Sequence, residues 1–415
     1  MVEKLAKLQL NQIIYGLLIL LVFVLPLSVK VANCILLGAL LLALVDAGKS
    51  GSFTCQVTIP YRIKVALWAL LILSGFSIFF SINRMASAFN WLWVVGQDAV
   101  AFWLLLRYGA KEHRPLLLMK VFLIAAALVA IYGIWQYCYG ATIQPADWVD
   151  HEVFPELKKR AFSTLENPNI LGSFLVLACS YCAGIFAPLR GGKTRITLIV
   201  IFLLCVICLL FTFSRGNWVA LFWMLFVFSA FFYHKAALPF IGGGLMVLYL
   251  GWGLLAHRIL SIFATEDTSA ELRISYLESA LSMIRDHPLG VGWYGYQFAF
   301  PDYDFYLKDP SVIMYHSHNL FLNITAELGV IGLIIFIYLL WQFFQTARVV
   351  RHTADKRWMR GIACGYIASL VGILISGLTD HTLFNWQLGM LFWLGNALIL
   401  ILNSKTRGGK LFKQK

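Results

Sequence analysis

Residues 316–345 read HSHNLFLNITAELGVIGLIIFIYLLWQFFQ, and this stretch decides how the rest of the chain is interpreted. A polar segment with two imidazoles, His316 and His318, passes directly into an apolar run long enough to cross a bilayer. An ionisable side chain is costly at a membrane edge, so it marks a candidate functional site. Histidine also titrates near neutral pH, which suits it to accept a proton from a hydroxyl group. We therefore take His318 as the candidate general base and His316 as a loop residue that supports it.

The composition is that of an integral membrane protein. Of 415 residues, 60% are hydrophobic and only 13% are charged, and the mean hydropathy is +0.78. Soluble domains carry about 25% charged residues. The first apolar run lacks a signal-peptide cleavage site, so it is expected to be a retained helix. Apolar runs of about 17–25 residues predict twelve spans, near 10–29, 31–47, 63–82, 89–106, 115–137, 163–187, 195–213, 217–233, 236–255, 318–345, 359–378 and 382–402.

The basic residues predict the orientation of this single polytopic domain, residues 1–415. With the N-terminus inside, 22 of the 33 lysines and arginines fall on the cytoplasmic side. Both long loops, 138–162 and 256–317, the latter between spans nine and ten, fall on the opposite side. We therefore expect both termini in the cytoplasm. The net charge of +13 then reflects topology and contact with anionic membrane lipids, and not nucleic-acid binding.

Cysteine and glycine motifs give no sign of a metal or a nucleotide. Cys179/Cys182 and Cys205/Cys208 form two CxxC pairs, but both pairs lie inside apolar helical runs, where cysteine acts as a small hydrophobic residue. No phosphate-binding glycine loop and no HExxH motif occurs in the sequence. We therefore predict neither a metal nor a cofactor.

Three arginines on the predicted outer side are candidates for binding a phosphate ester. Arg215 lies in FTFSRGNW, where one apolar helix breaks and the next begins, and Arg160 precedes AFSTLENPNILG at the start of the sixth span. Arg273 lies in ELRISYLESALSMIRDHPLGVG, an amphipathic helix expected at the outer membrane boundary. Guanidinium is permanently charged and binds phosphate oxygens through two parallel hydrogen bonds. Simpler alternatives are that Arg160 flanks a helix end and that Arg273 lies on a solvated face.

The remaining polar residues are expected to have supporting, structural or surface roles. Asn319 and Glu327 are expected to support the site, Glu327 through a helix-packing hydrogen bond. Asp98 lies inside a span, and the sequence identifies no partner for it. Asn167 and Asn169 are expected to cap the sixth helix. The pair Asp380-His381 forms a short outer turn and is interpreted as surface, at most the rim of a site.

Together these motifs resemble the O-antigen ligases and the related O-antigen polymerases of bacterial envelopes. His318-Asn319, followed after nine residues by Gly329 and Gly332, is similar to the histidine motif of the ligases. SRG at 214–216 and the Arg273 helix running into DHPLGVGWYGY are similar to two further motifs. The resemblance covers most of the chain. It implies a GT-C-like, all-α membrane fold whose large periplasmic loop contains the amphipathic helix, with His318, Arg215 and Arg273 essential and Arg160 corresponding less closely.

The resemblance also implies a reaction. A glycan would pass from undecaprenyl diphosphate to a hydroxyl of lipid A–core oligosaccharide at the periplasmic face of the inner membrane, in lipopolysaccharide biosynthesis. Transfer would be inverting and independent of metal. Three alternatives stay open: an O-antigen polymerase, an O-linked protein oligosaccharyltransferase, and, from a different class, a secondary transporter. Transporters usually hold their substrate near the midplane, whereas most candidate residues here collect at one face.

Overall fold

The structure is a computed structural model that describes residues 2–111, 113–140, 159–189, 191–236, 242, 268–305 and 313–406. For residues 2–8, 236 and 268–273 only the backbone is described. The regular secondary structure of these residues is helical. The prediction of an all-α fold is therefore confirmed.

The helices begin and end close to the predicted spans. They are α1 (Val2–Val24), α2 (Val29–Ser50), α3 (Tyr61–Ser77), α4 (Arg84–Trp91), α5 (Gln97–Tyr108), α6 (Arg114–Tyr139), α7 (Pro168–Phe186), α8 (Lys193–Phe211), α9 (Arg215–Phe231), α10 (Thr268–Asp286), α11 (Tyr296–Tyr303), α12 (Leu320–Thr353), α13 (Arg357–Ser376) and α14 (Trp386–Ser404). A short π-helical segment, Leu92–Gly96, joins α4 and α5 into one span.

Apolar helices account for eleven of the twelve predicted spans. Nine candidate membrane spans occur in the described part of the chain, and Gln9–Val24 and Arg215–Phe231 are shorter apolar helices at two further predicted positions. The predicted span near 236–255 lies almost entirely outside the described residues. The protein is therefore a multi-pass membrane protein.

Helix α7 lies at the centre of the bundle, where it packs against α8, α9 and α13. Small residues let α7 and α13 approach closely, because a Cβ added at Gly365 would lie 2.8 Å from the Cα of Tyr181. The cysteines of the two CxxC pairs lie on α7 and α8 and are free and fully buried. They therefore fill the core as small apolar side chains, as the sequence predicts.

The connections predicted to lie on the outer side meet at one end of the bundle. Hydrogen bonds tie them together: Thr164 Oγ1 to Pro26 O (2.6 Å), Gln387 Nε2 to Leu25 O (3.1 Å), Arg160 Nε to Thr212 O (2.8 Å), Trp293 N to Ser77 Oγ (3.0 Å) and Leu320 N to Gly377 O (2.7 Å). All candidate residues named from the sequence, except Asp98 and Glu327, lie on these connections or at the helix ends beside them. We call this the site end of the bundle.

Helix α12 is broken near its start by an inserted loop. Gly329 has φ 70° and ψ 177°, a conformation that L side chains rarely adopt. The segment after α10, residues 287–295, enters this break, where Val291 N donates to Ala326 O at 2.8 Å and Gly292 N donates to Glu327 O at 3.0 Å. A Cβ at Gly329 would lie 2.7 Å from the carbonyl carbon of Leu289. Glycine at this position is therefore required by the close backbone contact as well as by φ.

Side-chain contacts also fasten the inserted loop. Glu327 Oε2 accepts a hydrogen bond from Tyr294 N at 3.0 Å, so this carboxyl group holds the inserted loop against α12. The indole Nε1 of Trp293 donates to Asn90 Oδ1 at 2.8 Å. Because the loop continues directly from α10, these contacts fix α10 over the start of α12.

Helix α10 is amphipathic, as predicted, and it ends at Asp286, just before Pro288. Tyr276, Ala280 and Met283 are buried in a small hydrophobic cluster with α11 and the first turns of α12. Leu277 and Leu281, which the sequence places on the same apolar face, are 40% and 49% exposed. The helix therefore has a second apolar edge, which suits the predicted position along a membrane boundary.

Candidate active site

His318 lies at the site end, in the loop that leads into α12. Its φ of 51° places a non-glycine residue in the left-handed region, which costs about 1–3 kcal/mol and often marks a functional site. Two hydrogen bonds hold this conformation. The His318 N–H donates to His316 Nδ1 at 3.2 Å, and the Ser317 N–H donates to the side chain of Asn323 at 3.0 Å. His316 is therefore in direct contact with the backbone of His318.

The imidazole of His318 lies between an aromatic ring and a carboxylate. The ring of Tyr276 stacks on it with centroids 5.4 Å apart and an interplanar angle of 24°. Its Nδ1 lies 3.4 Å from Oδ1 of Asp380. This distance is somewhat longer than an ordinary N–H···O hydrogen bond, as catalytic hydrogen bonds often are before substrate binds. The carboxylate is placed to hold the proton on Nδ1 and to leave Nε2 able to accept another.

Asp380 is buried, so its interpretation as a surface residue is wrong. Its fractional exposure is 6%, and that of His381 is 9%. The turn that carries both residues is drawn inward because Leu320 N donates to Gly377 O at 2.7 Å and Asn319 Nδ2 donates to Leu378 O at 3.1 Å. The same Asn319 caps α12 through Phe321 N and Leu322 N. Its supporting role thus consists in joining the histidine loop to the Asp380 turn.

Two further histidines surround His318 and carry no charge near neutral pH. The rings of His316 and His318 lie 4.5 Å apart, and those of His316 and His381 lie 5.9 Å apart. Burial lowers the pKa of His316 to about 4, helped by the neighbouring His318 and opposed by Asp380. Burial likewise lowers the pKa of His381 to about 3. Both imidazoles are therefore neutral in the range where a catalytic base operates.

The SRG motif lies against the Asp380 turn. Arg215 is the first residue of α9, and a helix N-terminus favours an anion. Gly216 touches Thr379, since a Cβ added at Gly216 would lie only 3.0 Å from the Thr379 Cβ and closer still to its Oγ1. Arg215 and Asp380 are each one residue from this contact. The fold therefore brings the start of α9, with the SRG motif, against the turn that carries Asp380.

We expect Gly216→Ala to lower activity strongly, because the new methyl group must push the Thr379 turn away from α9. The shift would change the position of Asp380 relative to both Arg215 and His318. Gly38→Ala is the matched control, since a Cβ there meets nothing within 4 Å. Turnover of both variants, measured on purified protein of equal thermal stability, checks the expectation. Unchanged turnover in Gly216→Ala would show that the close contact is unimportant.

Arg160 belongs to a polar network beneath the SRG turn. Its Nε donates to the carbonyl oxygen of Thr212 at 2.8 Å, and an Nη donates to Asn169 Oδ1 at 3.1 Å. Asn217 of α9 joins the same network through Asn169 O at 2.8 Å and Ser214 Oγ at 2.9 Å. Arg160 is thus near Arg215 and also has a structural role at a helix end, so both interpretations from the sequence retain support. The predicted cap of α7 by Asn167 is confirmed.

Arg273 lies on α10, but its side chain is outside the described residues. On the backbone it is three residues before Tyr276, about one helical turn. Residues three apart share a helix face, and Tyr276 is the residue that stacks on His318. The helix therefore carries position 273 toward the site end. Direct binding of phosphate by Arg273 stays a prediction.

Asp98 occupies a different place, inside the bundle. It is buried in α5, where its Oδ1 has no hydrogen-bond partner among the described residues. Its Oδ2 lies 3.4 Å from the position that a Cβ of Gly389 would occupy, in the first turn of α14. This places Asp98 against a helix that begins at the site end, without a contact to the histidines.

We expect Asp380→Asn to lower turnover about 10- to 100-fold, part of the 10²–10⁴-fold that a general base contributes. The amide keeps the size of the side chain but loses the charge that stabilises protonated His318. The loss should therefore appear mainly in kcat with KM nearly unchanged, because the charge acts on the proton transfer and not on donor binding. Asp302→Asn, an exposed carboxylate on α11, is the control. Full activity with an unchanged kcat would remove Asp380 from the site.

The fold and the site define a multi-pass membrane protein with a histidine–carboxylate pair and an arginine-bearing helix start at one end of its bundle. Residues 200–337 match the family model described as O-antigen ligase. The chain therefore carries a domain of the O-antigen ligase family, and the resemblance seen in the sequence is confirmed. Proteins of this family are glycosyltransferase-like enzymes that act on lipid-linked glycans. No curated protein gives a significant match to the chain.

The matched region contains most of the residues singled out in the sequence. Arg215, Arg273, His318 and Glu327 lie inside it, whereas Arg160 and Asp380 lie outside. Sequence reasoning missed Asp380 and also Asn323, whose side chain holds the histidine loop. A signal for Asp380 was present, because a charged pair in a short turn between two apolar runs is costly at a membrane edge.

Proposed function

We propose that this protein is an O-antigen ligase, which transfers a glycan from undecaprenyl diphosphate to a hydroxyl of lipid A–core oligosaccharide. The observation that carries the proposal is the pairing of His318 with Asp380 beside the SRG turn. A base and an anion-binding helix start lie together at one end of a membrane bundle. That arrangement suits a donor with a diphosphate leaving group and an acceptor that must lose a proton.

In the proposed reaction, the acceptor hydroxyl attacks the anomeric carbon of the lipid-linked sugar. A new C–O bond forms there as the bond to the diphosphate breaks, and the electron pair of that bond leaves with undecaprenyl diphosphate. The hydroxyl proton passes to Nε2 of His318, and the imidazolium is stabilised by Asp380. A single displacement of this kind inverts the configuration at the anomeric carbon.

Arginine would stabilise the leaving group. Arg215, Arg273 and Arg160 would offset the negative charge that grows on the diphosphate as the bond breaks. Guanidinium suits this task because it binds two phosphate oxygens at once. Arginines and a helix start thus offer the charge stabilisation that a divalent cation supplies in many phosphate sites, so we propose that transfer needs no metal.

The orientation completes the proposal. The positive-inside pattern supports cytoplasmic termini, which would turn the site end toward the periplasm of a bacterial inner membrane. The exposed apolar edge of α10 would then rest on the outer leaflet. Both substrates are amphiphiles anchored in that bilayer, so they would meet the site from the membrane plane.

The test is a reaction of purified protein with undecaprenyl-diphosphate-linked glycan and lipid A–core, with EDTA present and no nucleotide. We expect glycan-bearing lipid A–core on a gel, with inverted linkage in the product. Longer lipid-linked glycan beside unchanged lipid A–core would instead identify an O-antigen polymerase. Loss of both products from a folded preparation with a competent donor would contradict the proposal and favour transport.

A further inference from the structure

Three side chains at the site end have the chemistry and spacing of a transition-metal site. His316, His318 and Asp380 each offer one ligand atom, and these atoms lie within 4.8 Å of one another. Two imidazoles and one carboxylate form a ligand set typical of zinc sites that keep a fourth position open. Among the described residues, this is the one group of three or more such side chains with that spacing.

Little movement would bring the three ligands to a zinc ion. Bonds of about 2.0–2.1 Å in a tetrahedral site place neighbouring ligand atoms about 3.3 Å apart. His318 Nδ1 and Asp380 Oδ1, at 3.4 Å, already have this separation. The ligand atom of His316 lies at most 4.8 Å from the other two ligand atoms. It would therefore need to move closer to them by about 1.5 Å at most. Rotation about χ1 or χ2 of one side chain can supply that shift.

The surroundings favour a bound cation with an accessible open position. The side chain of His318 is 32% exposed, which gives an ion a path from solvent and room for water as a fourth ligand. Nearby, the buried Nδ1 of His381 has no hydrogen-bond partner among the described residues. His381 follows Asp380 directly, so a further nitrogen is available beside the group. The buried CxxC cysteines, in contrast, form no such group.

We propose that His316, His318 and Asp380 bind Zn²⁺ and that the bound ion inhibits glycan transfer. An ion bound to Nδ1 of His318 leaves the single proton of the neutral imidazole on Nε2. Nε2 then cannot accept the proton of the acceptor hydroxyl, so His318 no longer acts as the base. The metal is thus an inhibitor here and takes no part in the reaction. Inhibition rests on the role proposed above for His318, whereas binding rests on the geometry alone.

Binding is measured first, without substrate. Full-length protein in detergent, stripped with chelator, is dialysed against Zn²⁺, and Co²⁺ is used in parallel because its visible spectrum reports a tetrahedral site. We expect one ion per chain. His316→Gln and Asp380→Asn should each weaken binding about 10-fold or more, by analogy with losses at established sites. His352→Ala, an exposed histidine in the last turn of α12, should bind normally. Mg²⁺ should not compete, since it prefers oxygen ligands.

Inhibition is measured next, with the lipid-linked donor and acceptor. We expect Zn²⁺ to stop transfer over the same concentration range in which it binds, and EDTA to restore it. If the protein does not bind Zn²⁺ stoichiometrically, or if both His316→Gln and Asp380→Asn leave binding unchanged, the proposed zinc site is wrong. Stoichiometric binding that leaves transfer unaffected would overturn the inhibition and would also show that His318 is not the base. An inactive preparation that binds zinc normally would point instead to a fault in the proposed reaction.

Discussion

Replacing His318 with alanine is expected to abolish glycan transfer while the protein still inserts and folds. A general base contributes about 10²–10⁴-fold to a rate, and Nδ1 of this imidazole lies 3.4 Å from the Asp380 carboxylate. Alanine also removes the ring that stacks on Tyr276. His318→Gln is therefore tested beside it, because glutamine keeps polar contact but cannot accept the proton.

The measurement is single-turnover transfer from lipid-linked donor by purified protein. Thermal stability and detergent gel filtration confirm that both variants fold. His352→Ala, at the far end of α12, should transfer at the normal rate. Transfer within a few-fold of the normal rate by folded His318→Gln would remove this residue from the chemical step.

Replacing Arg215 with lysine is expected to lower transfer by about 10- to 100-fold, and alanine by about 10²–10³-fold, the usual loss of one transition-state donor. Lysine keeps the charge but loses the planar pair of donors that binds two phosphate oxygens. Because the diphosphate gains charge as its bond to the sugar breaks, the loss should appear mainly in kcat. Donor binding in the ground state should change less.

Arg348→Lys provides the matched control for this substitution. Arg348 is exposed near the other end of α12 and donates to Gln345, so its replacement should leave transfer unchanged. Rates are compared over a range of donor concentrations to separate kcat from KM. A large rise in KM with unchanged kcat would mean that Arg215 binds the donor uniformly and does not act in the transition state.

The helices were predicted well from the sequence, because a transmembrane span depends on the composition of one continuous stretch of residues. Runs of apolar residues as long as a bilayer is thick have few alternatives to a transmembrane helix. The cap at Asn167 and the end of α10 before Pro288 are also local features, and both are found where they were expected. For the same reason, the CxxC pairs were correctly assigned to the core.

The site was predicted less completely, because its residues come together through distant contacts. Nothing near Asp380 in the sequence indicates that Asn319 and Leu320 draw its turn inward. The role of Glu327 depends on Tyr294, which is 33 residues away. Gly329 was noted as part of a motif, yet a glycine in an apolar run does not reveal that another segment of the chain enters the helix there.

The break at Gly329 has a mechanical consequence. The first turns of α12, which carry Asn319 and Asn323 and thereby position His318, are anchored to the inserted loop and not to the long remainder of the helix. The remainder spans the bilayer and must tilt or bend as membrane thickness varies. A joint without regular helical hydrogen bonding absorbs such bending locally. The reacting groups can thus keep their mutual distances while the bulk of the helix follows the lipid around it.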